Sequence, residues 1–282
     1  MDISGSTRVF LILGDPVEQV RAPEVFNQQF RKHGVDAVLV PARVAPADLP
    51  AFVTQAFKAR NIDGLCLTVP HKTLVMPLLD RCDALGRVTG AVNAARRNAD
   101  GSIEGALFDG IGFTRSLAAD GVAIAGARVL VIGAGGAGVA IAASLAQRGA
   151  ARVALYDKAA GRSAAAVAAL AAPCGPAIVE AGSADPAGYD IVVNATPLGL
   201  EAGDPIPVDV ARVDAGAAVV DILMKNQPTP LLRACRARGV AAHAGFGMLA
   251  HQMPEYLEFF GYPEIAAALR ADLSEVSALL AA

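Results

Sequence analysis

The run Val129-Leu-Val-Ile-Gly-Ala-Gly-Gly-Ala-Gly138 leaves the chain few folds to choose from. An apolar, β-branched segment, Val129 to Ile132, stops at Gly133, and an alanine-rich helical pattern begins near Val139. Between them Gly133, Gly135 and Gly138 stand in G-x-G-x-x-G spacing, with Ala134, Gly136 and Ala137 in the gaps. Each glycine has a mechanical task. Gly133 permits the tight strand-to-helix turn, Gly135 lets a pyrophosphate approach the backbone, and Gly138 lets helix and strand pack closely. The loop and helix N-terminus would offer free N–H groups and a positive dipole end to phosphates. A second strand pattern, Arg152 to Tyr156, follows at βαβ distance and ends at Asp157, where an acid can accept hydrogen bonds from ribose hydroxyls. The alternative is a glycine-rich turn that binds nothing. The succession strand, glycines, helix, strand, acid weighs against it.

A length of 282 residues predicts about two domains. The net charge of −3 and the scattered arginines give nucleic acid no footing. Met1 to Thr7 is short and polar, unlike a signal peptide. Val129 to Gln147 is uncharged and long enough to raise a membrane span, but its glycines and the switch from strand to helix argue for a buried βα unit. The expectation is a cytoplasmic protein with no membrane partner, monomeric or homodimeric. Cys66, Cys82, Cys174 and Cys235 form no C-x-x-C, and His33, His71, His243 and His251 form no zinc pattern. Reduced thiols and no metal site are expected.

The N-terminal third reads as its own α/β unit. Val9 to Leu13 predicts a buried parallel strand, Pro23 to His33 a helix with Val25, Phe26 and Phe30 on one face, Ala37 to Pro41 a strand, and Ala47 to Arg60 a helix. Gly64 to Val69 predicts a strand closed by Pro70; a helix over 74–79 and strands over 91–94 and 102–107 follow. A connecting helix over 111–119 leads into the glycine-loop unit: strand 127–132, helix 137–148, strand 152–156, helix 160–172, and strands near 177–180, 189–194 and 217–222. Helices over 230–238 and 248–281, the latter broken near Gly261 to Pro263, complete the pattern. The fold class is α/β.

Thr68-Val-Pro-His-Lys72 lies where a strand ends and a helix begins, and ligands of open α/β sheets bind beyond the carboxyl ends of strands. Lysine is confined to Lys32, Lys58, Lys72, Lys158 and Lys225 among 24 basic residues. One at a sheet mouth therefore stands out, although a solvated helix-start lysine is the plain alternative. Asp109, in Phe108-Asp109-Gly110, could serve as a simple N-cap.

Together these motifs resemble the shikimate dehydrogenase family. The resemblance runs through Gly14-x-Pro16, Thr68 to Lys72, Gly90-Ala-Val-Asn93, Asp109-Gly-x-Gly112, the Gly133 loop, Asn194-Ala-Thr-Pro-x-Gly199, Asp221, Thr229-Pro-Leu-Leu232 and Gly247-Met-Leu-x-x-Gln252. It covers nearly the whole chain. It implies a substrate-binding α/β domain split between residues 1–110 and 245–282, a Rossmann domain over 111–244, C-terminal helices returning to the first domain, and a cleft between the two. It implies that Lys72 and Asp109 flank the reacting hydroxyl, and that Thr68, Asn93 and Gln252 hydrogen-bond a polyol ring. On the cofactor side it implies Asn194, Ala195, Thr196, Pro197, Ile222, Gly245 and Met248 beside the glycine loop. The implied activity is reversible hydride transfer between NAD(P) and a secondary hydroxyl of a shikimate- or quinate-like cyclic hydroxy-acid. Lysine can act as general base if desolvation lowers its pKa, whereas a neighbouring aspartate favours the charged amine and orients it.

The chain departs from the family around the substrate. Two serines that hold the substrate carboxylate correspond to Val20 and Ala22, an asparagine before Thr68 to Cys66, an Asn-Thr pair to Leu107-Phe108, and a tyrosine to Met224. A hydrogen bond to a charged group is worth about 1.5–3 kcal/mol, so two losses would weaken carboxylate recognition roughly a hundredfold or more. Arg21 offers a replacement partner for a carboxylate, or is a surface charge. Asp157 disfavours a 2′-phosphate and so favours NAD over NADP, while Lys158 and Arg162 could reach such a phosphate. Two other readings stay open: a weakly catalytic, cofactor-dependent binding protein, and a protein sharing only the Rossmann half. Retention of Lys72 and Asp109 opposes the first, and the Thr68–Lys72 and Gly247–Gln252 motifs oppose the second.

Overall fold

The computed structural model describes residues 3–175, 178–201 and 203–281. The backbone packs as two compact units, Met1–Phe108 with Gln252–Ala282, and Asp109–His251. The divisions fall after Phe108 and inside a helix after His251. Asp109, Gly245 and Met248 therefore belong to the second unit and Gln252 to the first, whereas division at 110/111 and 244/245 was expected.

In the first unit, β1 (Arg8–Gly14), α1 (Ala22–Lys32), β2 (Ala37–Arg43), α2 (Leu49–Ala56) and β3 (Ile62–Leu67) alternate. Then come α3 (His71–Leu74), a 3-10 turn (Met76–Leu78), β4 (Arg81–Cys82), α4 (Ala84–Thr89), β5 (Ala94–Arg97) and β6 (Ile103–Ala106). The sheet order is β2-β1-β3-β5-β6-β4. β1 lies parallel to both β2 and β3, whereas β5 runs antiparallel to β3 and β6. From Val9 to Leu13 β1 is apolar, because it lies between two parallel partners. Leu13, Val53, Leu65, Leu67, Val75 and Val92 share one core.

In the second unit follow α5 (Asp109–Ala119), β7 (Arg128–Ile132), α6 (Gly136–Gln147), β8 (Arg152–Tyr156), α7 (Ala160–Cys174) and β9 (Val179–Ala181). β10 (Ile191–Asn194), β11 (Ala218–Asp221), α8 (Pro230–Ala237), β12 (Ala241–Ala244) and α9 (Phe246–Phe259) complete it. Its strands pair in parallel: β10 with β11 and β7, β11 with β12, β7 with β8, and β8 with β9. Its order, β12-β11-β10-β7-β8-β9, is the doubly wound arrangement, with the reversal between β7 and β10. The carboxyl ends of those two strands, Ile132 and Asn194, pair in register.

The last part of α9, with α10 (Pro263–Ala271) and α11 (Ser274–Ala281), belongs to the first unit. Aromatic packing holds it there. Phe10 lies 4.9 Å from Phe260, Phe26 5.9 Å from Tyr256, and Phe108 5.2 Å from Tyr256 between ring centroids. An ion pair between Lys32 and Glu275 (2.6 Å) ties α1 to α11.

Some local expectations fail for identifiable reasons. The helix expected over 74–79 starts earlier and breaks into α3 and a 3-10 turn around Pro77. Residues 91–93 are not strand; they lead into β5, with the Val92 N–H donating to the Lys72 carbonyl and the Asn93 N–H to that of Ala106. Helix α4 was not anticipated, although Asp83 caps its N-terminus and Gly90, at φ 64°, ends it in the left-handed region. β12 was missed because Ala-Ala-His-Ala has little strand propensity; register with β11 forms it. The strand near 177–180 appears as β9, with Ala177 outside the described residues.

Candidate active site

At the carboxyl ends of β1 and β3 the chain builds a braced corner. Gly14 is there because a Cβ would sit 2.5 Å from the Thr68 methyl. The Thr68 N–H donates to the Leu13 carbonyl (2.9 Å), and the His71 N–H to the Thr68 carbonyl (2.8 Å). Lys72 follows, half-buried, its carbonyl accepting from Val92 (2.9 Å). That bond sets the Lys72 backbone beside Asn93. Asn93 is fully buried: its Oδ1 accepts the Phe108 N–H (3.0 Å), its Nδ2 donates to Gln252 Oε1 (3.0 Å), and its carbonyl accepts from the Tyr256 hydroxyl (3.2 Å). Asn93 and Gln252 thus meet each other from opposite ends of the sequence. Tyr256, which no motif singled out, supports them.

Arg21 does something else. Its Nε donates to Glu24 (2.7 Å), and its terminal nitrogens to the carbonyls of Leu279 (3.1 Å) and Leu280 (3.3 Å) at the end of α11. The guanidinium that offered a carboxylate partner is occupied with helix docking. Val20 is half-buried and Ala22 buried at the start of α1. Cys66 is buried in β3, where desolvation pushes its thiol pKa far up and makes it inert.

In the second unit the glycine loop has the form its spacing demands. Gly133 has φ +105°, and a Cβ there would lie 2.7 Å from the Ala195 carbonyl oxygen; a Cβ on Gly138 would lie 1.9 Å from the Gly133 oxygen. Nothing lies within 4 Å of where a Cβ on Gly135 would point, so that glycine serves no internal packing. At the start of α6 the Val139 N–H donates to the Gly135 carbonyl (2.9 Å). The amides of Gly136, Ala137 and Gly138 precede it, at the positive end of the helix. An open approach at Gly135 beside those amides fits a dinucleotide pyrophosphate. The Ala134 amide is used differently: it donates to Asp157 Oδ2 (3.0 Å), while Asp157 Oδ1 accepts from Ala159 (2.9 Å). Asp157 therefore locks the loop, with lone pairs left for ribose hydroxyls. Lys158 and Arg162 are exposed.

Asn194 is fully buried, and its side chain turns inward rather than outward to a cofactor. Its Oδ1 accepts from the Thr196 hydroxyl (2.6 Å) and amide (3.0 Å), and its Nδ2 donates to Asp221 (3.1 Å). Asp221 also accepts from Thr229 (2.7 Å) and the Leu223 amide (3.2 Å). Burial pushes the Asp221 carboxyl above the usual carboxylate range, against the downward pull of these donors. This Asn194–Asp221–Thr229 network holds the loops that follow β10 and β11. Its signal in the sequence is an acid closing the apolar run Ala218-Val-Val-Asp221. Asn226, at φ 59°, braces the same loops through a donor to the Gly199 carbonyl (3.4 Å). Ala195 and Ile222 are half-buried, Pro197 exposed and Met248 buried. Gly245 packs on the Ile222 backbone, where a Cβ would come within 2.5 Å of Cα. Met224 is half-buried in the braced loop. Asp109 opens α5 and is buried. No group of three or more metal-ligating side chains occurs among the described residues, and none of their helices is long and apolar enough to cross a membrane.

A family profile described as the shikimate dehydrogenase substrate binding domain matches residues 12–95. The shikimate dehydrogenase (NADP(+)) of Acidiphilium cryptum (strain JF-5) is 39% identical over 264 residues, covering 93% of each chain. The chain belongs to the shikimate dehydrogenase family. It is an oxidoreductase of that family, and its fold extends across it. The quinate dehydrogenase of Corynebacterium glutamicum, solved in complex with NAD, superposes with a TM-score of 0.84 at 26% identity, covering 98% of this chain and 99% of that one. The ligand-free 5-ketofructose reductase of Gluconobacter sp. strain CHM43 superposes at 0.78 with 27% identity, covering 95% and 99%. A second profile, an FAD binding domain, matches residues 128–273. Its start coincides with β7, the glycine loop and α6, an element that shikimate dehydrogenases share with flavin-binding folds.

Proposed function

We propose that this shikimate dehydrogenase family member oxidises, reversibly, a secondary hydroxyl on a small polyhydroxylated ring, with NAD favoured over NADP. The observation that carries the reading is the corner after β3, where Lys72 is tied to Val92 and so set beside the buried Asn93–Gln252 pair. Lys72 is the proton carrier: an amine takes the hydroxyl proton during oxidation, and an ammonium returns it during reduction. Asp109 is the second residue that the family motif assigns to the reaction, and Thr68, Asn93 and Gln252 supply polar contacts to the ring. When bound, the nicotinamide supplies the hydride acceptor or donor. The Gly135–Gly138 turn of the second unit would hold its pyrophosphate, and Met248 would pack by the ring. Asp157 supports NAD, because a carboxylate fixed against the glycine loop repels a 2′-phosphate and accepts from free hydroxyls. The relatives named for NADP(+) make this the point most exposed to test.

A shikimate- or quinate-like acid is the first substrate class. The occupation of Arg21 by Glu24 and α11, with Val20 and Ala22 alongside, favours a second: a polyol or keto-sugar without a carboxylate, as the name 5-ketofructose reductase describes for one relative. Steady-state rates for shikimate, quinate, 5-ketofructose and neutral cyclic polyols, each with NAD(H) and NADP(H), test both by absorbance of the reduced nicotinamide. Turnover of one ring compound well above the rest supports the proposal. No turnover of any, with the dinucleotide bound, would leave a binding protein.

A further inference from the structure

His71 stands next to Lys72, and the proposed chemistry does not use it. Its side chain is completely buried, and Nε2 lies 2.8 Å from the carbonyl oxygen of Val44. A carbonyl can only accept, so Nε2 carries a proton and donates it. That Nδ1 is buried with no hydrogen-bond partner. A phenylalanine would fill the same space without burying an unpartnered ring nitrogen. The imidazole is therefore tolerated for what its Nε2–H does, which is to cross from the corner after β3 to the segment after β2. Val44 is itself anchored, its N–H donating to the Gly14 carbonyl (3.1 Å).

Helix α3 spans only His71–Leu74 and cannot hold its own position. Two of the bonds that hold it reach neighbouring segments on opposite sides. The imidazole reaches Val44 on one side, and the Lys72 carbonyl accepts from Val92 on the other (2.9 Å). The side chains of Val69 and Leu74, on either side of the lysine, are exposed, so their packing does little to hold it.

We propose that His71 is a positioning residue for Lys72: an imidazole that donates from Nε2 and so pins the lysine-bearing turn to Val44. The inference rests on the reading of Lys72 as proton carrier for its importance, but not for its test. His71→Phe keeps the volume and removes the donor. His71→Gln returns an amide N–H close to where Nε2 stood. Acetic anhydride labelling of the full-length protein across a pH series, quantified by mass spectrometry, gives the reactivity and labelling midpoint of Lys72, with Lys32, Lys158 and Lys225 as internal references. The expected result is a Lys72 reactivity changed at least threefold and a shifted midpoint in His71→Phe. The reference lysines should stay unchanged and His71→Gln should return to wild type. Equal Lys72 labelling in all three proteins overturns the proposal, as does a change shared by every lysine or a failure of glutamine to restore it. If Lys72→Ala keeps full turnover while labelling behaves as expected, the positioning stands and the catalytic reading falls.

Discussion

The Asp109–His251 unit and the unit built around β1 and β3 use their polar side chains in opposite ways. In the former they face inward. Asp157 holds the Ala134 amide, Asn194 holds Thr196 and Asp221, and Thr229 completes the network, so that a turn of backbone is left to meet a ligand. In the latter the ligand-facing candidates are side chains, Thr68 and Lys72, with Asn93 and Gln252 paired beside them. A backbone site depends on shape and tolerates little change in its glycines. A side-chain site can be retuned one residue at a time. The departures at Val20, Ala22, Cys66 and Met224 arise mostly on the side that permits it.

The glycines offer the sharpest way to break that comparison. Gly138→Ala drives a methyl into the Gly133 carbonyl, where both partners are backbone, and is expected to cost about 3 kcal/mol or more in urea unfolding. Gly135→Ala meets nothing and should leave the unfolding midpoint alone. It should weaken dinucleotide binding about tenfold to a hundredfold, since one contact to a charged group is worth about 1.5–3 kcal/mol. Equal stability losses in the two variants would show that the loop is only a packing feature.

Asp221 tests whether the inward network is structural. Its carboxylate accepts from Thr229, Leu223 and Asn194, and an amide nitrogen in place of Oδ2 would take away the acceptor of the Thr229 hydroxyl proton. Asp221→Asn should cost about 1–3 kcal/mol. Because burial raises the folded pKa, the native protein holds that proton more tightly than the unfolded chain. Its contribution is therefore most favourable at low pH and falls as pH rises from the ordinary carboxylate range through the raised folded value. Asp221→Asn should remove that slope; chemical unfolding at several pH values will show whether it does.

Asp157→Ala should lower the preference for NAD over NADP about tenfold, equivalent to about 1.4 kcal/mol, in paired affinity measurements. An unchanged ratio would pass the discrimination to Lys158 and Arg162. The smallest effect is expected of Arg21→Ala. Loss of its contacts to Glu24 and α11 should cost about 1 kcal/mol of stability and leave KM unchanged. A large rise in KM for an acidic substrate alone would restore Arg21 to the binding site.

The same contrast explains what could be read without a structure. The glycine loop, β7, β8 and Asp157 are legible because backbone geometry forces residue types into fixed spacing. The lysine corner is legible as a position, from a strand ending at Thr68. The pairing of Asn93 with Gln252 is not, since the two residues are far apart in sequence and meet only when α9 packs on the first sheet. The contacts of Arg21 are hidden for a similar reason: its carbonyl partners, Leu279 and Leu280, lie at the other end of the chain. The buried imidazole of His71 has no local signature at all, because Val44 is reached only through the parallel pairing of β1 with both β2 and β3.

The central claim is that Lys72 moves the proton while the second unit holds the dinucleotide independently. Measuring turnover and dinucleotide affinity together for Lys72→Ala, with the best substrate of the wild-type protein, tests it most directly. The expected outcome is a fall in kcat of about 10²–10⁴-fold with the dissociation constant for NAD unchanged. A variant that turns over as fast as the wild type would contradict the account.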